Sequence, residues 1–456
     1  MTADPKDAPF PTSPPLTAAA TGSAPAEVRR VAISGYLGNT IEFYDFILYG
    51  SAAAIVFGPL FFSNLSPALG TIASFATLAT GYVVRPLGGL VLGHLGDRWG
   101  RKQVLLLTMV IMGLASGLIG LLPTYHQIGV AAPLLLVMLR LLQGFAVGGE
   151  WGGAVLLAAE HAPPGRRGFI TAIGQAGLPS GGLLSTVALA GISLLPGDQM
   201  LSWGWRIPFL FSFVLLAVGL YLRVRIAESP LFDELDAALR RKETPLMTVL
   251  RRPGPLLRGI AVTTPPVVCS TLIGSFAVSY AVSLGVPRST VLNALSVAWV
   301  GAIVMTPVYG LLSDRFGRRP VYAGGAIAFA VLAYPLFWAI GSGSTVLVFL
   351  AFFTAFTFVS VAMSAALGAM LAEMFPTAVR YTGISAAYQL ATILAGFTPL
   401  VAGALLALAG GGHHIGWVAL LVLVVSLIAL AAVRSGRESV GSSLHEAHEP
   451  AAEAVR

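Results

Sequence analysis

Five charged side chains lie inside long apolar stretches of this sequence. Three are acids, Glu42, Asp45 and Glu150, and two are arginines, Arg85 and Arg140. A charge at the centre of a lipid bilayer costs at least ~2.5–3.5 kcal/mol, so such residues usually pair or serve a function. A carboxyl in a nonpolar cavity can take up and release a proton, and a guanidinium can hold a carboxylate by two parallel hydrogen bonds. The residue types therefore predict proton exchange at Glu42, Asp45 and Glu150.

The positions of these charges suggest which of them meet. Counting ~1.5 Å per residue along each helix places Arg85 and Glu150 at similar depths, which predicts an ion pair between them. Arg140 is predicted to pair with Asp45 and to bind an anionic substrate. A substrate carboxylate competing for that arginine would free the acid to bind a proton, which couples the two ligands. The alternative is a static network of ion pairs that only holds the helices together.

The composition explains why these positions are unusual. Of 456 residues, 56% are hydrophobic and only 10% are charged, with a mean hydropathy of +0.82. A soluble domain carries about 25% charged residues, so the chain is expected to have lipid as its solvent. We predict an all-α membrane protein with twelve transmembrane helices, at about 31–57, 67–93, 104–123, 131–157, 169–195, 205–223, 258–284, 290–313, 321–341, 345–371, 384–409 and 416–433.

The charged connectors divide these helices into two sets of six. The predicted units are a disordered tail (1–28), an N-terminal half (29–223), a central loop (224–257), a C-terminal half (258–434) and a second tail (435–456). Lysine and arginine collect in the tails, the central loop and alternate connectors, which predicts that both termini and that loop are cytoplasmic.

Two internal repeats support homologous halves. The segment GHLGDRWGRKQV at 93–104 returns as GLLSDRFGRRPV at 310–321. Farther along each half, Glu160, Pro163 and Arg167 match Glu373, Pro376 and Arg380 at identical internal spacing. Matches in the same order indicate two parallel halves, with a substrate site near the middle of the membrane between them.

These motifs carry a family resemblance. The duplicated G-x-x-x-D-R-x-G-R-[RK] resembles the signature loop of the major facilitator superfamily. Within it, GNTIEFYDFILYG (38–50), RPLGG (85–89), RLLQGFAVGGEWGGA (140–154) and WGWRIPF (203–209) resemble the metabolite–proton symporters, which include shikimate, α-ketoglutarate, citrate and proline/betaine permeases. The resemblance covers residues 30–434 and implies proton-driven uptake of a small polar metabolite across a bacterial cytoplasmic (inner) membrane.

The resemblance also implies which residues line the site and which form a gate. Helices 1, 4, 7 and 10 are expected to line the cavity, which suggests four candidates on helices 1, 4 and 7: Tyr44, Gln143, Ser279 and Tyr280. Gln175 on helix 5 and Gln389 on helix 11 are further candidates. The duplicated loop and its partners are expected to close the cytoplasmic side: Asp97, Arg98, Arg101, Glu160, Arg167, Asp314, Arg315, Arg318, Glu373 and Arg380. For each lining candidate, an interhelical hydrogen bond is the simpler alternative. For the gate, the alternative is basic loops that only set topology.

Other classes of function lack support in the sequence. The net charge of +7 is spread over connectors and forms no nucleic-acid-binding patch. One cysteine, Cys269, permits neither an internal disulfide nor a cysteine metal cluster. Phosphate-loop, nucleotide-binding and nucleophile-elbow motifs are missing, so we expect no enzyme activity, no metal and no cofactor other than the proton as coupling ion. The expected partners are a small substrate, protons and lipid, with the monomer as the working unit.

The sequence therefore predicts a secondary transporter that imports a small organic acid, such as shikimate or a keto acid, by proton symport with alternating access. The sequence lacks the heptad-bearing extension of osmolyte permeases, which favours carboxylates. Three alternatives remain open: a symporter of a zwitterion such as betaine or proline, a proton-coupled exporter, and a sensor that binds without transport.

Overall fold

The computed structural model describes residues 25–163, 165–192, 194–225, 245–251, 253–436 and 438. In these ranges the chain is almost entirely helical, and twelve long helices follow one another as predicted. The first half holds α1 (Pro25–Ile55), α2 (Pro67–Trp99), α3 (Arg101–Leu121), α4 (Ala131–His161), α5 (Arg167–Gln175 and Gly177–Ile192) and α6 (Gly197–Val224). The second half holds α7 (Pro253–Ser283), α8 (Arg288–Phe316), α9 (Arg318–Gly341), α10 (Thr345–Met374), α11 (Arg380–Leu408) and α12 (Gly416–Arg434).

Shorter elements connect or interrupt the long helices. Connecting helices span Phe57–Phe61, Tyr125–Ile128, Pro245–Arg251 and Thr377–Val379. Widened π-helical turns interrupt α6, α7 and α10 at Met200–Gly204, Leu272–Phe276 and Ala355–Ser360. Such turns shift the side chains that follow them around the helix axis, and they are frequent at functional positions.

The predicted unit boundaries fall partly outside the described residues. Residues 1–24 and 439–456 lie outside them, as does most of the predicted central loop. α1 begins at Pro25, within the stretch predicted as a disordered tail. Within the predicted central loop, the helix Pro245–Arg251 precedes α7.

Within the described ranges, nine of the long helices are long and apolar enough to cross a bilayer, judged by length and composition. Large apolar side chains cover the outside of the bundle, where Val83 is 75% exposed and Leu408 is 84% exposed. In water such a surface would favour aggregation, whereas in a bilayer it faces lipid chains of the same polarity.

Glycine sets the turns between α2 and α3 and between α8 and α9. Gly100 has φ 118° and Gly317 has φ 104°, a region of backbone conformation that side chains with a Cβ rarely adopt. Each turn consists of this single residue, since α3 begins at Arg101 and α9 begins at Arg318. The duplicated loop therefore has the same local geometry in both halves.

Small residues bring α4 against α2. A Cβ on Gly144 would collide with the carbonyl of Gly81, and one on Gly148 would collide with the carbonyl of Arg85. This close approach explains the glycines of the stretch 140–154, because membrane helices associate through small residues.

The two halves meet along two matched seams. In one, α2 packs against α11, and in the other α5 packs against α8. Gly89 of α2 lies against Gln389 of α11, and Gly310 of α8 lies against Ala172 of α5. We call the end of the bundle with the α2–α3 and α8–α9 turns the terminal side, because the ends of α6 and α12 reach it: Lys102 donates to Val224 O, and Arg319 donates to Arg434 O.

Candidate functional site

A hydrogen-bonded chain of buried polar side chains runs through the first half. Asp45 of α1 accepts hydrogen bonds from Ser116 of α3 at 2.5 Å and from Ser212 of α6 at 2.6 Å. Gln143 of α4 donates to Ser116 at 2.5 Å and accepts from Arg140 at 2.6 Å. A buried charge is tolerated only when it is well paired or hydrogen-bonded, and this chain supplies such bonds to Asp45.

This chain corrects the predicted pairing of Arg140 with Asp45. The two residues are linked through Gln143 and Ser116 and make no ion pair within 4.0 Å in the described residues. The Arg140 guanidinium instead lies over the ring of Tyr49, 4.3 Å from its centroid. Similar depth in the membrane does not bring the two charges into contact, because Ser116 and Gln143 lie between them.

Arg85 and Glu42 form a second group. The Arg85 guanidinium lies over the rings of Tyr82, at 4.7 Å, and Phe46, at 5.1 Å. Its Nε has no hydrogen-bond partner among the described residues, and neither has Oε2 of Glu42. Glu42 is 4% exposed and Arg85 9% exposed, so both unpartnered atoms are deep inside the protein.

The predicted ion pair between Arg85 and Glu150 is wrong. Glu150 pairs with Arg223, near the end of α6, and also accepts a hydrogen bond from Thr108 at 2.5 Å. Arg223 further donates to the carbonyl of Leu105 at 2.9 Å. Two side chains at similar depth on two helices need not face each other. Arg223 lies at the predicted end of helix 6, so the sequence does not indicate it as an intramembrane partner. A glycine in α1 makes room for this pair, because a Cβ on Gly38 would collide with both charged groups.

The six predicted lining residues fall in different surroundings. Tyr44 is fully buried and donates to the carbonyl of Pro208 in α6, which accounts for it as an interhelical contact within the first half. Tyr280 is 3% exposed and stacks with Phe276 in the core of the second half, whereas Ser279 is exposed. Gln143 belongs to the Asp45 chain described above.

The remaining two candidates are glutamines near the contact between the halves. Gln389 of α11 donates to the carbonyl of Gly148 at 3.0 Å, which is a bond between the two halves. Gln175 of α5 accepts from the indole nitrogen of Trp151 at 3.2 Å, and its own Nε2 has no partner among the described residues.

Trp151 and Tyr388 were not identified from the sequence. Their rings stack between α4 and α11 with centroids 3.7 Å apart and an angle of 14° between the planes. Tyr388 precedes Gln389, the residue of α11 that lies against Gly89 of α2. The stretch GGEWGGA could have indicated Trp151, because the small glycines around an aromatic ring leave room for a residue of another helix to pack against it.

Two aspartates of the duplicated loop bind helix N-termini of the opposite half. Asp97 accepts from the backbone amides of Tyr381 at 3.2 Å and Thr382 at 2.9 Å, at the start of α11. Asp314 accepts from the amides of Gly168 and Phe169, both at 2.8 Å, at the start of α5. A carboxylate there satisfies unpaired amides and complements the positive end of the helix dipole.

Two glutamates complete matched ionic clusters next to these caps. Glu160 contacts Arg101 of its own half at 2.7 Å and Arg380 of the other half at 3.0 Å. Glu373 contacts Arg318 of its own half at 3.6 Å and Arg167 of the other half at 3.5 Å. The contacts join both halves on the terminal side.

Two predicted gate residues lie apart from the clusters. Arg98 and Arg315 are exposed, and Arg315 lies over the ring of Phe316 at 5.3 Å. The other eight form the caps and clusters just described. Among the described residues, no group of three or more His, Cys, Asp or Glu side chains could hold a metal ion.

Comparison with known proteins identifies the family. The family described as "Sugar (and other) transporter" matches residues 31–244, and "Major Facilitator Superfamily" matches residues 267–455. The chain is 41% identical to the shikimate transporter of Escherichia coli (strain K12), over 85% of this chain and 90% of that protein. It is 35% identical to the glycine betaine/proline/ectoine/pipecolic acid transporter OusA of Dickeya dadantii (strain 3937), over 82% of this chain and 77% of that protein.

The fold agrees with a solved structure of the proton:xylose symporter XylE bound to 6-bromo-6-deoxy-D-glucose. The TM-score is 0.74 at 17% identity, over 92% of this chain and 98% of that one. With the two matched halves and the duplicated loop, these similarities show that the chain belongs to the major facilitator superfamily, as one of its metabolite transporters and not as an enzyme.

Proposed function

We propose that this protein imports a small organic acid, shikimate-like or a keto acid, together with one or more protons across a bacterial inner membrane. The observation that carries the proposal is that Glu42 and Arg85, both buried in the first half, make no ion pair and no side-chain hydrogen bond among the described residues. Keeping both groups without a partner inside a bilayer is costly unless Glu42 binds a proton and Arg85 binds an anion during the transport cycle. The 41% identity to a shikimate transporter supports this choice of substrate.

Roles follow from the surroundings of each charge. Glu42 and Asp45 are the proposed proton-binding groups, because both can become neutral without leaving a paired arginine uncompensated. Glu150 is assigned to a structural ion pair with Arg223, since losing its charge would strand that arginine. Arg85 or Arg140 binds the substrate carboxylate, with the proton on a nearby acid coupling the two ligands.

The terminal side is the proposed cytoplasmic gate. The positive-inside distribution of lysine and arginine supports cytoplasmic termini. The caps of Asp97 and Asp314 and the clusters of Glu160 and Glu373 close this side, and they must separate when the site opens to the cytoplasm. The proposed working unit is a monomer in lipid, with no cofactor beyond the proton.

The test is uptake into proteoliposomes under an imposed pH gradient. The labelled substrates are shikimate, α-ketoglutarate, glycine betaine and proline, each measured with and without an uncoupler. We expect an alkaline interior to drive accumulation of a carboxylate, and the uncoupler to abolish it. If accumulation does not depend on the pH gradient, the proposed coupling to protons is wrong. Saturable binding without accumulation would identify a sensor.

A zwitterionic osmolyte is the second candidate substrate. It is favoured by 35% identity to OusA and 34% identity to the proline/betaine transporter of Escherichia coli (strain K12). Uptake of betaine that shikimate fails to inhibit would select it. Export is distinguished in the same preparation, because an exporter accumulates substrate when the gradient is reversed.

A further inference from the structure

We propose that Arg85, and not Arg140, holds the carboxylate of the substrate, while Glu42 and Tyr388 face a hydroxyl-bearing part of the same molecule. This inference rests on the proposed function and specifies its binding site. It predicts a ligand class, a monocarboxylate with hydroxyl groups a few ångströms from the carboxylate. It also assigns a binding role to Tyr388 of α11, a helix on which the sequence suggests only Gln389 as a lining residue.

The first observation is that, among the described residues, Arg85 lacks the carboxylate partner that five other buried arginines have, a property it shares with Arg140. Each of five others lies within 4.0 Å of a carboxylate: Arg101, Arg167, Arg223, Arg318 and Arg380. Arg85 has no such partner in the described part of the chain, and the rings of Phe46 and Tyr82 lie against its guanidinium. Aromatic faces stabilise a guanidinium through cation–π contacts but leave its hydrogen-bonding edge free. That edge is suited to a carboxylate that arrives from outside the protein.

Arg140, in contrast, is enclosed within the first half. It donates to Gln143 at 2.6 Å and is 3% exposed. Its side chain packs against the backbone of Gly81 so closely that a Cβ there would lie 2.6 Å from Nε. Arg140 thus lies against α2, which the glycine contacts at Gly144 and Gly148 hold close to α4.

The position of Arg85 along α2 is the second observation. One helical turn farther on, Gly89 lies against Gln389 of α11. Tyr388, next to Gln389, stacks on Trp151 of α4, so its ring lies at the same contact between the halves. Arg85 therefore lies beside the contact between the halves, where parallel-repeat transporters bind their substrates.

Glu42 and Tyr388 supply the other end of the site. Oε2 of Glu42 has no hydrogen-bond partner, and the structure gives none to the Tyr388 hydroxyl in the described residues. Glu42 and Arg85 also make no ion pair within 4.0 Å, so they do not neutralise each other directly. An anionic group beside Arg85 and hydroxyl groups beside Glu42 and Tyr388 would satisfy all three side chains.

The test compares Arg85→Lys with Arg140→Lys in the full-length protein. Each variant keeps the charge and loses the planar fork. Shikimate binding is measured without a gradient by tryptophan fluorescence, and the counterflow KM is measured in proteoliposomes. We expect Arg85→Lys to weaken binding by more than about tenfold and to exceed the effect of Arg140→Lys. The reverse order would overturn the inference.

Tyr388→Phe tests the hydroxyl end independently. The substitution keeps the ring that stacks on Trp151 and removes only the hydroxyl. We expect about a tenfold loss of shikimate affinity and no change for 1-cyclohexenecarboxylate, which has the ring and the carboxylate but no hydroxyls. Equal losses for both ligands, or none for either, would contradict the role of Tyr388.

These outcomes also separate the inference from the function on which it rests. If the unaltered protein binds no carboxylate, the proposed function fails. If it binds shikimate and Arg85→Lys binds equally well, the function stands and the assignment of Arg85 fails. Thermal unfolding of each variant identifies a folding defect, and Tyr388→Phe then decides the inference because its stacked ring is retained.

Discussion

The two halves of this transporter agree on the terminal side and differ in the interior. Asp97 and Asp314 cap the N-termini of matched helices, and Glu160 and Glu373 each join arginines from both halves. In the interior, the first half contains acids and arginines, whereas the second half has no charge deep in its apolar runs. Both halves must meet to close one side of a carrier, but the charged side chains that bind a ligand can come from one half.

The interior of the second half uses other means to hold its helices. Tyr322 of α9 donates to the carbonyl of Val262 in α7 at 2.6 Å. Phe276, Tyr280 and Phe337 pack their rings together, with centroids 5.7–5.9 Å apart. In the proposed site, this apolar half would contribute individual residues such as Tyr388, and the other half would supply most of the charge.

The largest effect is expected from neutralising Asp45. Asp45→Asn keeps the size of the side chain, so the two serines can still contact it, but it cannot exchange a proton. Gradient-driven accumulation should fall to the level seen with an uncoupler, while counterflow exchange persists. The matched control is Thr263→Val in the second half, which removes an equally buried hydroxyl that bonds only within its own helix. Intact accumulation in Asp45→Asn would remove the proposed functional difference between the halves.

A smaller effect is expected from removing one charge of the Glu150–Arg223 ion pair, which should lower the stability of the protein. Arg223→Met leaves Glu150 unpaired and should destabilise the protein by about 3–5 kcal/mol. Adding Glu150→Gln should recover most of that stability, since no unpaired charge is left. Thermal unfolding in detergent measures both variants. If the double variant is as unstable as Arg223→Met alone, the two side chains stabilise the protein by more than cancelling each other's charge.

The smallest effect is expected from the gate, where the two halves are most alike. The Glu160 contacts, at 2.7 and 3.0 Å, are shorter than the Glu373 contacts, at 3.6 and 3.5 Å. Glu160→Gln should therefore open the terminal side more than Glu373→Gln, by about 1–2 kcal/mol, because bonds between charged groups are the stronger ones.

Alkylation of an introduced cysteine measures this difference. In a Cys269→Ser background, Ser385→Cys places the probe on α11 against Gly152 of α4. Alkylation from the terminal side should be several-fold faster with Glu160→Gln than with Glu373→Gln. Equal rates would indicate that the two clusters contribute alike despite their different distances.

The sequence was sufficient to predict the family, the twelve helices and the two halves. The apolar composition and the length of the apolar runs predict the number of membrane-spanning helices, and the duplicated loop indicates the family. The family matches confirm the fold and the family. The residue roles, the direction of transport and the substrate remain predictions, because no comparison tests them.

The pairing of side chains was less accessible to sequence reasoning. Arg223 stands at a helix end in the sequence, yet its long side chain reaches back to Glu150. Distance along a helix gives the depth of a residue but not the direction in which its side chain points. Trp151 and Tyr388 are distant in sequence and meet only because α4 and α11 pack together. Such contacts depend on the arrangement of the helices, which a single sequence does not specify.

The residue Glu438 has a practical consequence for anyone who attaches a tag or fluorescent protein to this chain. Its carboxylate accepts from the amides of Arg318 at 3.0 Å and Arg319 at 3.1 Å, so the segment beyond α12 holds the first turn of α9. A fusion joined directly after Arg434 would strip this cap. A fusion joined downstream of residue 438 would keep it, and purification designs that trim the tail should stop short of that carboxylate.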